Sequence, residues 1–484
     1  MENGSASPKK KLNFETYAVV VAFLCLEVLA FVSFYLGHSF MLYAILSIVL
    51  VALLILVTLR QINKDGIATF IFFLFPIFIF GLLTALSLFS YQSIGAVGVA
   101  ESVFVPIGLT LFALAGFLSS YIKKFNIKLC LLVIYISLGL FVLINFILTM
   151  VYYVPFYTLT YANSYIVYNG RPSEVPIGSM AYMLFGFSVE EVSLLYWTLF
   201  PSLLLTAVIP LFFIKFKENK CDFLIYAGLT FLAFISLLFT INKITLISDF
   251  ILILGIAIII VAAKIKKSHS ILNVMMTTLG IIVLLVLIVF FINAQKNWGF
   301  VSGIRNAIGG NSLFNRLFNT NRYASSINAI FQDLFSSFKL FGCPVGGEAS
   351  DYPNVVAQVL SNIWLFDNLM SSGLFGAIFF LVALVFGIRR LFKYIASDKD
   401  DDLTKYTITG FVLGFLVISL ICFDAYPLIN SGKIFPFYTC APLLIVLFLL
   451  GYTYNKTLDA SKEKKASEPV EEVKEETEDE IISL

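Results

Sequence analysis

The stretch IATFIFFLFPIFIFGLLTALSLF, Ile67 to Phe89, decides the fold class, because it runs through the whole segment without one charged side chain. At about 1.5 Å per residue, a helix of that length crosses a hydrocarbon layer ~30 Å thick. A helix also pairs every backbone N–H and C=O within the segment, which lipid cannot do for it. Working outward from this stretch, comparable apolar runs occur near 17–36, 39–59, 97–122, 128–152, 192–214, 222–241, 244–263, 271–293, 372–391, 404–423 and 434–454, about twelve spans in all. The 484-residue chain is 60% hydrophobic and 13% charged, with 51 Phe. Soluble domains carry about 25% charged residues, so the expectation is an all-α polytopic membrane protein.

The distribution of Lys and Arg predicts the orientation, since cationic loops stay on the cytoplasmic side. With both termini inside, about 24 of the 32 basic residues fall in inner segments, among them Arg60, Lys64, Lys123, Lys124, Lys128, Lys215, Lys217, Lys220, Arg389 and Arg390. The outer segments keep Arg171, Lys243, Lys296, Arg305, Arg316, Arg322, Lys339 and Lys433. The first apolar run follows Lys9 to Lys11 as a signal peptide does, but its length and the span close behind it predict an uncleaved helix. The net charge of +2 is spread along one membrane face and supports no nucleic-acid partner. Six scattered Cys lack metal-ligand spacing and read as structural thiols.

Residues 1–454 therefore form a membrane-embedded domain, and 455–484 an acidic cytoplasmic tail with too little apolar surface to fold alone. Two outer segments are long. The first, 153–191, is rich in Tyr, Pro and Gly; its tyrosines suit an aromatic belt at the interface. The second, 294–371, holds Arg305, Arg316, Arg322 and several carboxylates, and it is where chemistry is to be sought. Within it Ile327, Ile330, Phe331, Leu334 and Phe338 mark an amphipathic helix over Tyr323 to Lys339. Asn321 is its N-cap, and Gly342 with Pro344 ends it. Arg322 then sits at the first helical position, where unpaired N–H groups and the positive dipole end already favour an anion; a guanidinium there makes a phosphate cradle. A second helical piece covers Val355 to Met370, and Ser372-Gly373 leads from it into the next span.

These residues resemble the O-antigen polymerase and O-antigen ligase superfamily of bacterial surface-glycan enzymes. Thr240-Ile241-Asn242-Lys243 looks like the family's T-x-S-R motif, and Asn321-Arg322-Tyr323 its S-G-R motif. Phe341-Gly342-Cys343-Pro344-Val345-Gly346 resembles L-x-G-x-G, and Asn362 through Gly373-Leu374-Phe375-Gly376 resembles H-N-x9-G-x-x-G. About twelve spans with a large outer loop between the ninth and tenth also match, and the likeness covers roughly 222–391. It implies a membrane glycosyltransferase C-like fold in the bacterial cytoplasmic membrane, with no metal and no cofactor. It further implies transfer of a saccharide from a polyprenyl diphosphate carrier to a glycan acceptor at the outer face. Arg322 would hold the diphosphate, with Arg316 and Arg305 nearby. Lys243 stands where the family has Arg, keeping the charge but losing the bidentate fork.

Asn362 occupies the place of the family's histidine, which activates the acceptor. The only histidines, His38 and His269, lie in other loops. A general base contributes about 10²–10⁴ in rate, whereas a diphosphate departs readily once its charge is neutralised, commonly the larger effect. Asp367, then Glu348 or Asp351, are the carboxylates that would accept the proton. Asp249 in the eighth span and Glu27 in the first are ionisable groups at membrane depth, which face a cavity or a partner. Two other classes stay open: a flippase or transporter of lipid-linked saccharide, and a family member that binds lipid-linked glycan without turnover.

Overall fold

The computed structural model describes residues 14, 16–22, 24–25, 39–59, 61–62, 64–86, 96–122, 125–152, 165–168, 171–176, 200–216, 219–238, 253–258, 260, 364–395, 397, 400–421, 429–430, 433–434 and 436–467. The chain among these residues is overwhelmingly helical: α1 (Ser39–Thr58), α2 (Lys64–Leu86), α3 (Ala96–Ser119), α4 (Ile127–Tyr152), α5 (Phe200–Leu205), α6 (Val208–Leu211), α7 (Lys220–Leu238), α8 (Trp364–Ile395), α9 (Asp402–Ile421) and α10 (Pro436–Ser467). Two small antiparallel hairpins accompany them, β1 (Tyr165–Tyr168) with β2 (Arg171–Pro176), and β3 (Ile429–Asn430) with β4 (Lys433–Ile434). The first falls within the long 153–191 segment, and the second joins α9 to α10.

Among the described residues four helical windows are long and apolar enough to cross a membrane: Gly66–Leu86, Lys220–Leu237, Phe375–Ile395 and Asp402–Ser419. Shorter apolar helical stretches at Ala44–Thr58, Val103–Ser119, Ile127–Leu140 and Phe200–Leu211 fall at four more of the expected spans. The expected span 271–293 lies outside the described residues, and 17–36 and 244–263 are described only in part.

The centre of the bundle is α10 against α3. From Leu443 to Leu450 every apolar side chain of α10 is buried, a helix hydrophobic all round because it has neighbours all round. It touches α3, α8, α9, α1 and α2. The approach to α3 depends on two glycines. A Cβ on Gly116 would run into the Phe448 carbonyl, and one on Gly451 into the Ala113 carbonyl, so each helix offers a bare backbone to the other. Around this pair Phe70 stacks on Phe117 with ring centroids 4.1 Å apart, and Phe80 meets Phe380 at 4.5 Å. Dispersion between such large rings supplies the packing that water exclusion cannot supply inside lipid.

The outer helices show one buried and one apolar, exposed face. The α7 window is 22% buried and the α9 window 78%, which puts α7 at the rim and α9 inside. Phe72, Phe75, Leu224, Phe231 and Val385 stand outward, as lipid-facing side chains do.

Three departures from simple spans have local causes. The run expected at 192–214 is broken: α5 and α6 are separated by a turn at Thr206 and Ala207, whose N–H groups bond three residues back to Leu203 and Leu204. The Thr206 hydroxyl is 2.5 Å from the Leu203 carbonyl and 2.8 Å from the Tyr135 hydroxyl. Side-chain competition of this kind weakens the helical ladder. In α8, Gly373 has φ 73° and ψ −179°. Only glycine takes that backbone without strain, so a segment from Trp364 to Ser372 meets the span at a kink. Finally, α10 does not stop at the expected border near Asn455 but continues to Ser467 into the polar tail.

Candidate functional site

Of the residues singled out from the sequence, Lys243, Arg305, Arg316, Arg322, Glu348 and Asn362 lie outside the described residues. So do the amphipathic stretch 323–339, Asp249 and Glu27. Asp367 is in the first turns of α8, on the segment ahead of the Gly373 kink. The paired glycines of that stretch each have a demand on them. Gly373 carries the left-handed backbone, and a Cβ at Gly376 would press on Ser372 one turn earlier.

The described polar chemistry is concentrated at the other ends of the helices. The starts of α4, α7 and α9 and the end of α8 meet there, joined by the stretch of α10 around Tyr452. Lys128 Nζ lies 2.8 Å from Asp401 Oδ2, both side chains about half exposed. Thr404 donates to Asp401 Oδ1 at 2.7 Å, and the Lys405 backbone N–H donates to the Asp401 carbonyl at 3.1 Å. Asp401 is thus the residue just before α9, holding the helix start with its side chain and neutralising the dipole end. Burial pushes its carboxyl upward, but the bonds from Lys128 and Thr404 outweigh that and hold its pKa below the ordinary value of 3.8.

Beside it, Asp400 Oδ2 accepts from Tyr394 at 2.6 Å and from Tyr452 at 3.2 Å, tying α8 to α10 through one carboxylate. The buried Lys405 ammonium donates to the Ser397 carbonyl in the α8–α9 turn. Asn455 donates to Ser120 at 2.7 Å, joining α10 to the end of α3. Arg390 lies over the Tyr454 ring at 4.6 Å, and Tyr454 donates to the Thr69 carbonyl at 3.0 Å, bringing α2 into the same layer. The starts of α4 and α7 and the end of α8 border Lys and Arg, whereas the start of α9 borders the acidic run Asp400 to Asp402.

Between α4, α7 and α9 this layer opens into a pocket of about 190 Å³. Its polar lining is Asn126, Lys128, Asp222, Tyr226, Thr404 and Thr407; leucines of α4 and α9 complete the wall. Behind Tyr226, Tyr135 stands edge-on with ring centroids 5.6 Å apart, and it carries the bond to Thr206. The pocket therefore runs from charged groups at the rim to hydroxyls within the bundle. It offers one ammonium, one carboxylate and several hydroxyls, an arrangement for holding a small polar group.

Sequence reading passed over this layer because Lys128 and its neighbours served only as topology markers. The available signal was the acidic triplet Asp400-Asp401-Asp402 in a segment that charge counting assigns to the basic side.

Fold and composition together define a helical membrane protein. No family model, curated protein or solved structure matches the chain.

Proposed function

We propose that the chain is a metal-independent glycosyltransferase that polymerises or ligates polyprenyl-diphosphate-linked saccharides at the outer face of a bacterial cytoplasmic membrane. An acceptor hydroxyl attacks the anomeric carbon, the bond from that carbon to the diphosphate oxygen breaks, and the configuration inverts. Arg322 neutralises the departing diphosphate, helped by Lys243, Arg316 and Arg305. Asp367 takes the acceptor proton, with Glu348 the next carboxylate in line, and Asn362 orients the acceptor.

The observation that carries this reading is the ordered set of motifs along 240–376, whose last two glycines are Gly373, at the α8 kink, and Gly376. Asp367 is on the segment before the kink, at the end of α8 away from the basic layer, and the proposal takes that end as the outer one. Loss of a charge-stabilising contact at a transition state costs about 10²–10³ in rate. Arg322→Ala should therefore remove long surface glycan from gels of whole-cell extracts. Unchanged glycan amount and chain length in that variant would dispose of the proposal.

One observation favours a second reading, transport of the lipid-linked unit. Transporters bind at broken helices, and α5–α6 is broken at Thr206 inside the bundle. Deletion separates the two: carrier-linked units accumulate on the outer leaflet if transfer is lost, and on the inner leaflet if transport is lost.

A further inference from the structure

The pocket between α4, α7 and α9 is at the depth of lipid headgroups, because all three helices start there and their first turns carry the charges. Lys128 is one lining cation, and its partner Asp401 leaves two of its three N–H donors available. Three helix N-termini, at Ile127, Lys220 and Asp402, point their positive ends at the same layer. That half of the pocket suits a phosphate. Asp222 is its counterweight: it lines the pocket, and among the described residues no hydrogen bond or ion pair engages it. That half suits a cation. Leu129, Leu131, Leu132 and Leu403 add an apolar wall, which a free water-soluble ion would not use.

We infer that this pocket binds the headgroup of a zwitterionic phospholipid ending in a primary ammonium, a phosphatidylethanolamine, with phosphate at Lys128 and ammonium at Asp222. An anionic lipid would meet Lys128 together with two carboxylates, Asp401 and Asp222. A phosphatidylcholine would bring a quaternary ammonium with no N–H for Asp222 or for the Thr404 and Thr407 hydroxyls. The pocket's volume accommodates an ethanolamine end and little more. A lipid seated there bridges α4, α7 and α9, of which α7 has the least buried span. The inference stands on this cavity and is independent of the glycan reading.

The test titrates phosphatidylethanolamine into the full chain in detergent and follows the rise in melting temperature. Half-saturation should need less of this lipid than of phosphatidylglycerol or phosphatidylcholine. Asp222→Asn should raise the half-saturating concentration about tenfold, the loss of one charge-assisted hydrogen bond. Equal half-saturation for the three lipids, or an unchanged value in Asp222→Asn, overturns the assignment. An equal shift with water-soluble phosphoethanolamine overturns it in favour of a soluble ligand. Should Asp222→Asn fail to purify, Leu132→Trp fills the pocket without altering a charge; it must abolish the ethanolamine preference, and a preference that survives in it refutes the site.

Discussion

At the scale of single residues, Asp401 carries three tasks at once: partner of Lys128, acceptor from Thr404, and start of α9. Its folded pKa is below its unfolded value, so the carboxylate form is the one that folding favours. Its stabilisation is complete above the ordinary value of 3.8 and is lost as pH falls through the lower, folded value. Because both partners of the pair are about half exposed, water screens it and its worth is the ~0.2–1 kcal/mol of a surface pair. Asp401→Asn should therefore lower stability slightly at neutral pH, as read by thermal unfolding in detergent. The same variant should show a smaller further loss on acidification than the parent. An identical acid-side slope in both proteins would show that Asp401 contributes nothing there. Asp222 is a useful contrast, since it also stands in the first turn of a helix yet has no described partner to hold it.

At the scale of elements, the α3–α10 crossing and the rim helix α7 respond oppositely to the same substitution. Gly451→Ala places a methyl against the Ala113 carbonyl, so the two central helices must separate; overpacking of this kind costs about 1–3 kcal/mol. Gly228→Ala on α7 meets nothing within 4 Å and gains helix propensity, so it should be neutral or stabilising by up to ~1 kcal/mol. Melting temperatures of the two variants, compared with the parent, should move in opposite directions or only Gly451→Ala should move. A Gly451→Ala protein as stable as the parent would mean the crossing is looser than the backbone contact implies. The span boundaries were legible because apolar length alone sets them: 39–59, 67–89, 97–122, 128–152, 222–241 and 404–423 each correspond to a described helix within a few residues. The break at Thr206 was partly legible, since Pro210 has no N–H for the Thr206 carbonyl four residues back; the bond between the Tyr135 and Thr206 hydroxyls was not, because that partner is far away in sequence. The kink at Gly373 was partly legible, as a Ser-Gly step at a span entrance. The extension of α10 past Asn455 was hidden because composition reports the lack of a core, while an attached helix needs none to propagate from its membrane half.

At the scale of the whole molecule, one layer of helix ends holds most of the described side-chain bonds between helices, and the hairpin β3–β4 lies at the opposite ends of α9 and α10. The bonds Lys128–Asp401, Asn455–Ser120 and Tyr452–Asp400 fix which ends belong together, independently of any charge count. The proposed orientation puts that layer on the cytoplasmic side, because translocating its lysines and arginines is the costly alternative. The proposed site residues rest on motifs and on the apolar periodicity of 323–339, and all but Asp367 lie outside the described residues, whereas the basic layer was illegible as a site because its pairs come from distant helices. Orientation links the two, since glycan transfer at the outer face requires the basic layer to be inside. Native Cys221 is exposed at the start of α7 and marks that layer. A variant retaining Cys221 alone should resist a membrane-impermeant maleimide in intact cells and react in inside-out vesicles. A variant carrying only Ser173→Cys, in β2 of the long 153–191 segment, should show the reverse pattern. Labelling of Cys221 in intact cells would invert the molecule and leave the diphosphate cradle on the wrong side for an acceptor outside the membrane.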